Sequence, residues 1–255
     1  LACTDHGNMR ATVDFYEAAQ AAGIKPILGC EFYVAPSDST VRDSSEAHAQ
    51  GFHLVLLAED ETGYRNLCKL NEHAWLKGFY HHPRIDKPLL AEHSKGLIAM
   101  TACLGGEVPT HLLEGNAKAA RSALEDYLDI FSRTHFYIEL QDHGLPEQKT
   151  VNPALIDLAR EYEVPLVATA AGPEVGTKGS GVRVGLVVAD GEGGTVTAGS
   201  PTRGGMAQPA PTKTARVAST TGKQTAIRTL RSISLSTRPP AFATKTMDER
   251  QRTTG

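Results

Sequence analysis

The residues best suited to chemistry in this 255-residue sequence interrupt otherwise apolar stretches. Asp5 and His6 follow Leu1-Ala2-Cys3-Thr4, with Gly7 and Asn8 as turn-forming residues behind them, and Glu31 follows the apolar run that ends at Cys30. An acid–imidazole pair at the carboxyl end of a strand lies where α/β proteins build their sites. His53 stands near the start of FHLVLLA, and a polar ring in such a run is costly unless it has a partner. Cys103 follows the strand-like GLIAMT, and Asp142-His143 follow FYIEL. Singly, each has an ordinary explanation: His53 as a core histidine bonded to backbone, Cys103 as a small buried hydrophobe. Together they form a mixed nitrogen, oxygen and sulfur donor set of the kind Zn²⁺, Mn²⁺ or Fe²⁺ accept. With carboxylates bridging closely spaced ions, such a site activates water and clamps a phosphate.

Positioning these residues requires strands that end near one another. The pattern predicts strands over 1–4, 24–34, 52–58, 96–101, 136–140 and 165–169. Helical spacing is expected over 9–22, 61–75, 87–93, 107–114, 117–131 and 147–162, with 36–50 and 78–88 as loops. Several of the predicted strands are apolar nearly throughout, as strands buried on both faces are. Their alternation with helices implies βα units in a mostly parallel sheet or barrel, an α/β fold.

Charge divides the chain near residue 170. Up to that point there are 14 Lys/Arg, 24 Asp/Glu, all ten His and all four Cys. Beyond it there are 12 Lys/Arg and five Asp/Glu, with Phe242 the only aromatic residue. An acidic half is thus joined to a basic one. Cys3, Cys30, Cys68 and Cys103 are widely spaced, as expected of reduced cytoplasmic thiols rather than a disulfide framework. No apolar run approaches the roughly 20 residues of a membrane-spanning helix.

The segments TDHGN, AGIKPILGCEFYVAP, FHLVLLAEDETGYRNLCKL, TACLGGE and ELQDHGLPEQ occur in that order. In order and spacing they resemble the amino-terminal polymerase and histidinol phosphatase (PHP) domain of bacterial DNA polymerase III alpha subunits, from Leu1 to about Thr169. The resemblance implies a distorted βα barrel holding a divalent metal cluster of Zn, Mn or Fe. It implies ligands at His6, Glu31, His53 and Cys103, with Asp5 orienting or charge-tuning the site behind them. Asp142 and His143 fall in a family motif without being family ligands, and are expected to structure a loop or an interface. The family's opening His-x-His strand would lie upstream of Leu1, so the barrel is expected to be incomplete. Its closing Asn-Asp-x-His is replaced by Ala170-Ala171-Gly172-Pro173.

The resemblance further implies a parent DNA-directed DNA polymerase, a cytoplasmic nucleotidyltransferase of DNA replication. That parent would act on DNA and deoxynucleoside triphosphates with Mg in a palm domain absent from this chain. Its partners would be replisome subunits such as a proofreading exonuclease and a sliding clamp. The PHP portion would be a metal-dependent phosphoesterase, a 3′–5′ proofreading exonuclease in one form; no catalytic polymerase aspartate belongs to it, and the fragment alone is expected to be inactive. The alternatives are a stand-alone PHP phosphatase and a non-catalytic replisome interaction module. The expected division is a PHP domain over 1–170 and a low-complexity basic tail over 171–255, apart from one strand-like run at 182–189. Such a tail is expected to be disordered or translated out of frame, the frameshift being the preferred reading because its charges are scattered and lack aromatics for base stacking.

Overall fold

A computed structural model describes residues 1–169 and, beyond them, only the strand pairing of Val196–Thr197 with Thr214–Ala215. The expectations for the 171–255 tail, including the strand-like run at 182–189, lie outside the described residues.

The described elements are β1 (Ala2–His6), α1 (Thr12–Ala21), β2 (Ile27–Val34), β3 (Phe52–Ala58) and α2 (Glu61–Leu76), then β4 (Phe79–Tyr80) and β5 (His82–Ile85). They continue as α3 (Lys87–Glu92), β6 (Leu97–Met100), α4 (Glu107–Leu113), α5 (Ala117–Phe131), β7 (Phe136–Gln141), α6 (Pro146–Glu161) and β8 (Leu166–Thr169). The strands form one eight-stranded sheet in the order β4-β5-β2-β3-β6-β7-β8, with β1 also paired to β2. The sheet curls into an incomplete, distorted barrel of βα units.

Helix starts follow local chemistry. The Asp60 side chain accepts the Gly63 N–H, that of Asp86 the Leu89 N–H, and that of Asn116 the Ala119 N–H, capping α2, α3 and α5. Pro88 and Pro146 occupy first-turn positions that need no N–H donor.

The sheet is more mixed than the mostly parallel arrangement expected. β1 and β5 pair parallel to β2, and β6, β7 and β8 run parallel, but β3 is antiparallel to both β2 and β6. Residues 36–51 contain no helix, so no βα crossover holds β3 parallel to β2. The stretch expected as an exposed loop over 78–88 contains β4 and β5, and its Arg84 is only 1% exposed. There the guanidinium is satisfied by the carbonyls of Gly78, Ala49, Ser39 and Val41 at 2.6–3.2 Å, which removes the cost that keeps arginine at surfaces.

Period-two alternation separates the two faces of the sheet. Cys30, Phe32, Val34, Leu54, Leu56, Leu97, Ala99, Phe136 and Ile138 pack into the large core under the helices. Val55, Leu57, Ile98, Met100, Tyr137 and Val167, with Ala2, form a smaller cluster on the opposite, inner face. Glu31 is in register with Val55, and Tyr33 with His53. The polar residues of interest are therefore set at one end of the inner apolar cluster.

Candidate metal centre

His6 closes β1 directly beside Glu31 of β2, and His53 opens the neighbouring strand. One ligand atom from each of the three lies within 4.8 Å of the other two. Glu31 Oε1 is 3.1 Å from His6 Nε2 and 2.6 Å from His53 Nδ1. Cys103, in the turn after β6, brings Sγ to 3.3 Å from His53 Nδ1 and 4.0 Å from Glu31 Oε1. Three residues spread along the sequence thus approach one carboxylate oxygen of a fourth, with Cys103 outside the trio whose ligand atoms are mutually within 4.8 Å.

The turn that delivers Cys103 is tightly shaped. Ala102, buried, takes a left-handed φ of 61°, a conformation costly for a residue with a Cβ. A Cβ on Gly105 would lie 3.1 Å from the His53 ring, so the bare backbone there lets the turn close over the imidazole. His53 is also held through its own backbone, whose N–H donates to the Gly105 carbonyl at 2.8 Å.

Glu31 is 1% exposed, whereas the side chains of His6 and His53 keep 23% and 24% exposure. One side of the cluster therefore faces the interior and the other faces solvent. Burial alone would raise the Glu31 carboxyl. The hydrogen bonds from His53 and His6, and their charges, outweigh it and hold Glu31 well below the usual carboxylate range. Burial likewise opposes charge on His53, but its hydrogen bonds with Cys103 and Glu31 and the charges of those groups push it up to about 9.

Asp5 lies on the other face of β1. Its Oδ2 accepts the Ala11 N–H at 3.2 Å, and Cys3 Sγ donates to Oδ1 at 4.0 Å. Burial raises its carboxyl. Asp5 thus anchors the turn that leads into α1, and through the backbone it steadies the position of His6. Asp142 and His143 lie outside the group of converging donors. Asp142 Oδ1 accepts the Gly144 N–H at 3.0 Å, and the His143 N–H donates to Gln148 Oε1 at 2.7 Å.

Three further residues on the inner face did not stand out in the sequence. Tyr33 meets the His53 ring edge-on at 5.0 Å, and His82 stacks on Tyr33 with centroids 4.3 Å apart and planes 10° apart. Glu139, 4% exposed, accepts from Gln141 Nε2 at 2.8 Å and from the Thr169 hydroxyl. It lines a small cleft with Cys103 and Gln148. Parity along FYIEL, which puts Glu139 on the same face as Tyr137, was the available signal for it; for His82, in a stretch read as a loop, there was none.

A curled α/β sheet with imidazole, carboxylate and thiol donors gathered at its strand ends defines an incomplete α/β barrel domain with a candidate metal centre. The PHP domain family model matches residues 1–143, and the chain belongs to that family. It is 49% identical over 173 residues to the DNA polymerase III subunit alpha of Thermus aquaticus, covering 68% of this chain and 14% of that protein. Against the Treponema pallidum subunit the identity is 45% over 169 residues, 66% of this chain and 14% of the relative. Against that of Deinococcus radiodurans it is 49% over 175 residues, 68% and 13%. The chain thus matches only about one seventh of the length of these relatives. No helix among the described residues is long and apolar enough to cross a membrane.

Proposed function

We propose that this chain carries the amino-terminal PHP portion of a replicative DNA polymerase alpha subunit, and that His6, Glu31, His53 and Cys103 ligate divalent metal in a phosphoesterase-type centre. The observation that carries this reading is the convergence of His6, His53 and Cys103 on Glu31 Oε1 in a chain 45–49% identical to such subunits.

The donor set fits the group. Two imidazoles, a buried carboxylate and a thiol suit Zn²⁺ above all, and Mn²⁺ or Fe²⁺ less closely. A metal bound there would supply Lewis acidity toward a phosphoryl oxygen and an activated water. The protein's own contribution is orientation. Glu31 is buried, the Gly105 carbonyl holds the His53 backbone, and the turn at Ala102 brings Cys103 to the His53 ring. Asp5 acts through the backbone rather than on the metal.

The parent polymerase would use DNA and deoxynucleoside triphosphates in the cytoplasm, with Mg in its palm, beside a separate proofreading exonuclease and a sliding clamp. By itself this chain would incorporate no nucleotides and would hold too few ligands for robust nuclease activity. The domain boundary is proposed near residue 170, on the charge break described above. The test is metal analysis of the chain purified from metal-supplemented medium, beside His6→Ala, His53→Ala and Cys103→Ser variants. Bound metal that falls in each variant supports the centre. Equal metal in wild type and all three variants would remove it and leave the non-catalytic module as the reading of this domain.

A further inference from the structure

His82 is the one imidazole outside the converging donors that reaches them through a single ring. It lies on β5, which runs parallel beside the end of β2, and its ring is stacked flat on Tyr33. Tyr33 in turn stands edge-on to His53, which meets His6 edge-on at 5.6 Å. The stack is held from behind. A Cβ on Gly7, the residue after His6, would meet the Pro83 ring at 2.6 Å and Tyr33 at 3.2 Å. The turn after β1 therefore packs directly on both His82's neighbour and its stacking partner, with little room for the stack to shift. His82 itself remains half-buried.

A stacked, half-buried imidazole beside a metal-ligand cluster has a restricted range of roles. Its ring meets Tyr33 rather than the Glu31 carboxylate approached by His6, His53 and Cys103, so it is not placed as a ligand. Its ring is immobilised on an aromatic face, which suits a hydrogen-bond donor that must hold one direction. Burial, then the charges of His53, His81 and His6, lower its affinity for a proton, so it offers an N–H without a permanent charge. The chemistry complementary to such a donor beside bound metal is the oxygen of a phosphoryl group.

We infer that His82, braced by Tyr33, is a substrate-contacting residue of this centre that donates a hydrogen bond to a non-bridging oxygen of a metal-bound phosphate ester. The inference rests on the phosphoesterase reading above. No bond is made or broken by His82 in this role; it orients the phosphoryl group through a neutral N–H donor.

The experiment uses the full chain loaded with Zn²⁺ and titrated with inorganic phosphate by calorimetry, with metal content measured on the same samples. His82→Ala is expected to keep wild-type metal content and to weaken phosphate binding about tenfold, the loss of one hydrogen bond to a charged group. His82→Gln, which retains an N–H donor, should recover part of it. Tyr33→Leu, which removes the brace but not the donor, should weaken phosphate less than His82→Ala. In histidine-labelled protein, phosphate should shift the His82 ring resonances. Wild-type phosphate affinity in His82→Ala at full metal content overturns this inference alone. Loss of metal in His82→Ala also overturns it, since His82 would then be a ligand. Failure of the wild type to take up metal overturns the metal-centre reading, and this inference with it.

Discussion

Glu31 Oε1 accepts from two imidazoles and faces a thiol while its residue is almost wholly excluded from water. Replacing the carboxylate by an amide keeps one acceptor oxygen but removes the negative charge that holds both rings, and puts an N–H₂ donor in place of the second oxygen. Glu31→Gln should destabilise the metal-free domain by about 1–3 kcal/mol, the range for a buried group that loses hydrogen-bonded partners. The two histidines stay partly exposed and can recover water, so the upper end is not expected. Urea unfolding followed by circular dichroism checks it, and an unchanged midpoint would mean the contacts contribute nothing net.

The pH behaviour follows from the same contacts. His53 is raised from its ordinary 6.5 to about 9, so its pairing stabilises the metal-free fold fully below 6.5. That contribution is lost as pH rises through about 9. Glu31 is shifted downward, so its contribution is present above the ordinary carboxylate range and is lost in acid. A metal ligated by His53 must displace its proton. Zn²⁺ affinity should therefore increase as pH is raised toward 9, with proton release at neutral pH. Calorimetry in buffers of different ionisation enthalpy reads that release; a pH-independent affinity would exclude His53 as a ligand.

At the level of elements, β5 shows where sequence reading stopped. HHPRID contains a proline, two histidines and an arginine, and each of these types favours a surface or a turn. Only the tertiary structure supplies the four backbone carbonyls around Arg84. By contrast, FHLVLLA, GCEFYV and GLIAMT declared themselves as strands because their apolar runs are long and β-rich. Strand parity then puts Glu31 and His53 on one face and Asp5 on the other. The hydrogen bonds of Arg84 join β5 to Ser39, Val41 and Ala49 in the 36–51 loop and to Gly78. Arg84→Met should orphan these carbonyls and cost about 3 kcal/mol or more. Arg84→Lys should not rescue it, because an ammonium cannot span the fork of a guanidinium. Faster cleavage within 36–51 by a nonspecific protease would accompany the loss of stability; wild-type resistance in Arg84→Met would show that the loop is held by other contacts.

At the scale of the molecule, the fold was legible because each βα unit agrees with its neighbours in pattern, capping and turn chemistry. The site was legible only where strand ends are marked by polar residues in apolar runs; the ring stack of Tyr33 and His82 depends on which strands lie side by side. Charge remains the property that separates the two parts of the chain. Residues 1–170 carry 14 Lys/Arg against 24 Asp/Glu, and the rest carry 12 against five. Duplex DNA presents one negative charge per ~1.7 Å, and its nonspecific grip comes from neutralising phosphates with basic side chains. An acidic domain pays Coulomb repulsion on approach, screened beyond about 8 Å at physiological salt. A chain truncated after residue 169 should therefore leave duplex DNA unshifted in a gel at physiological salt, whatever its metal content. The full chain should bind weakly, with an affinity that falls steeply as salt is raised. Equal, salt-resistant binding by both would locate a DNA-gripping surface inside the PHP portion and would overturn the assignment of DNA binding to the rest of the parent polymerase.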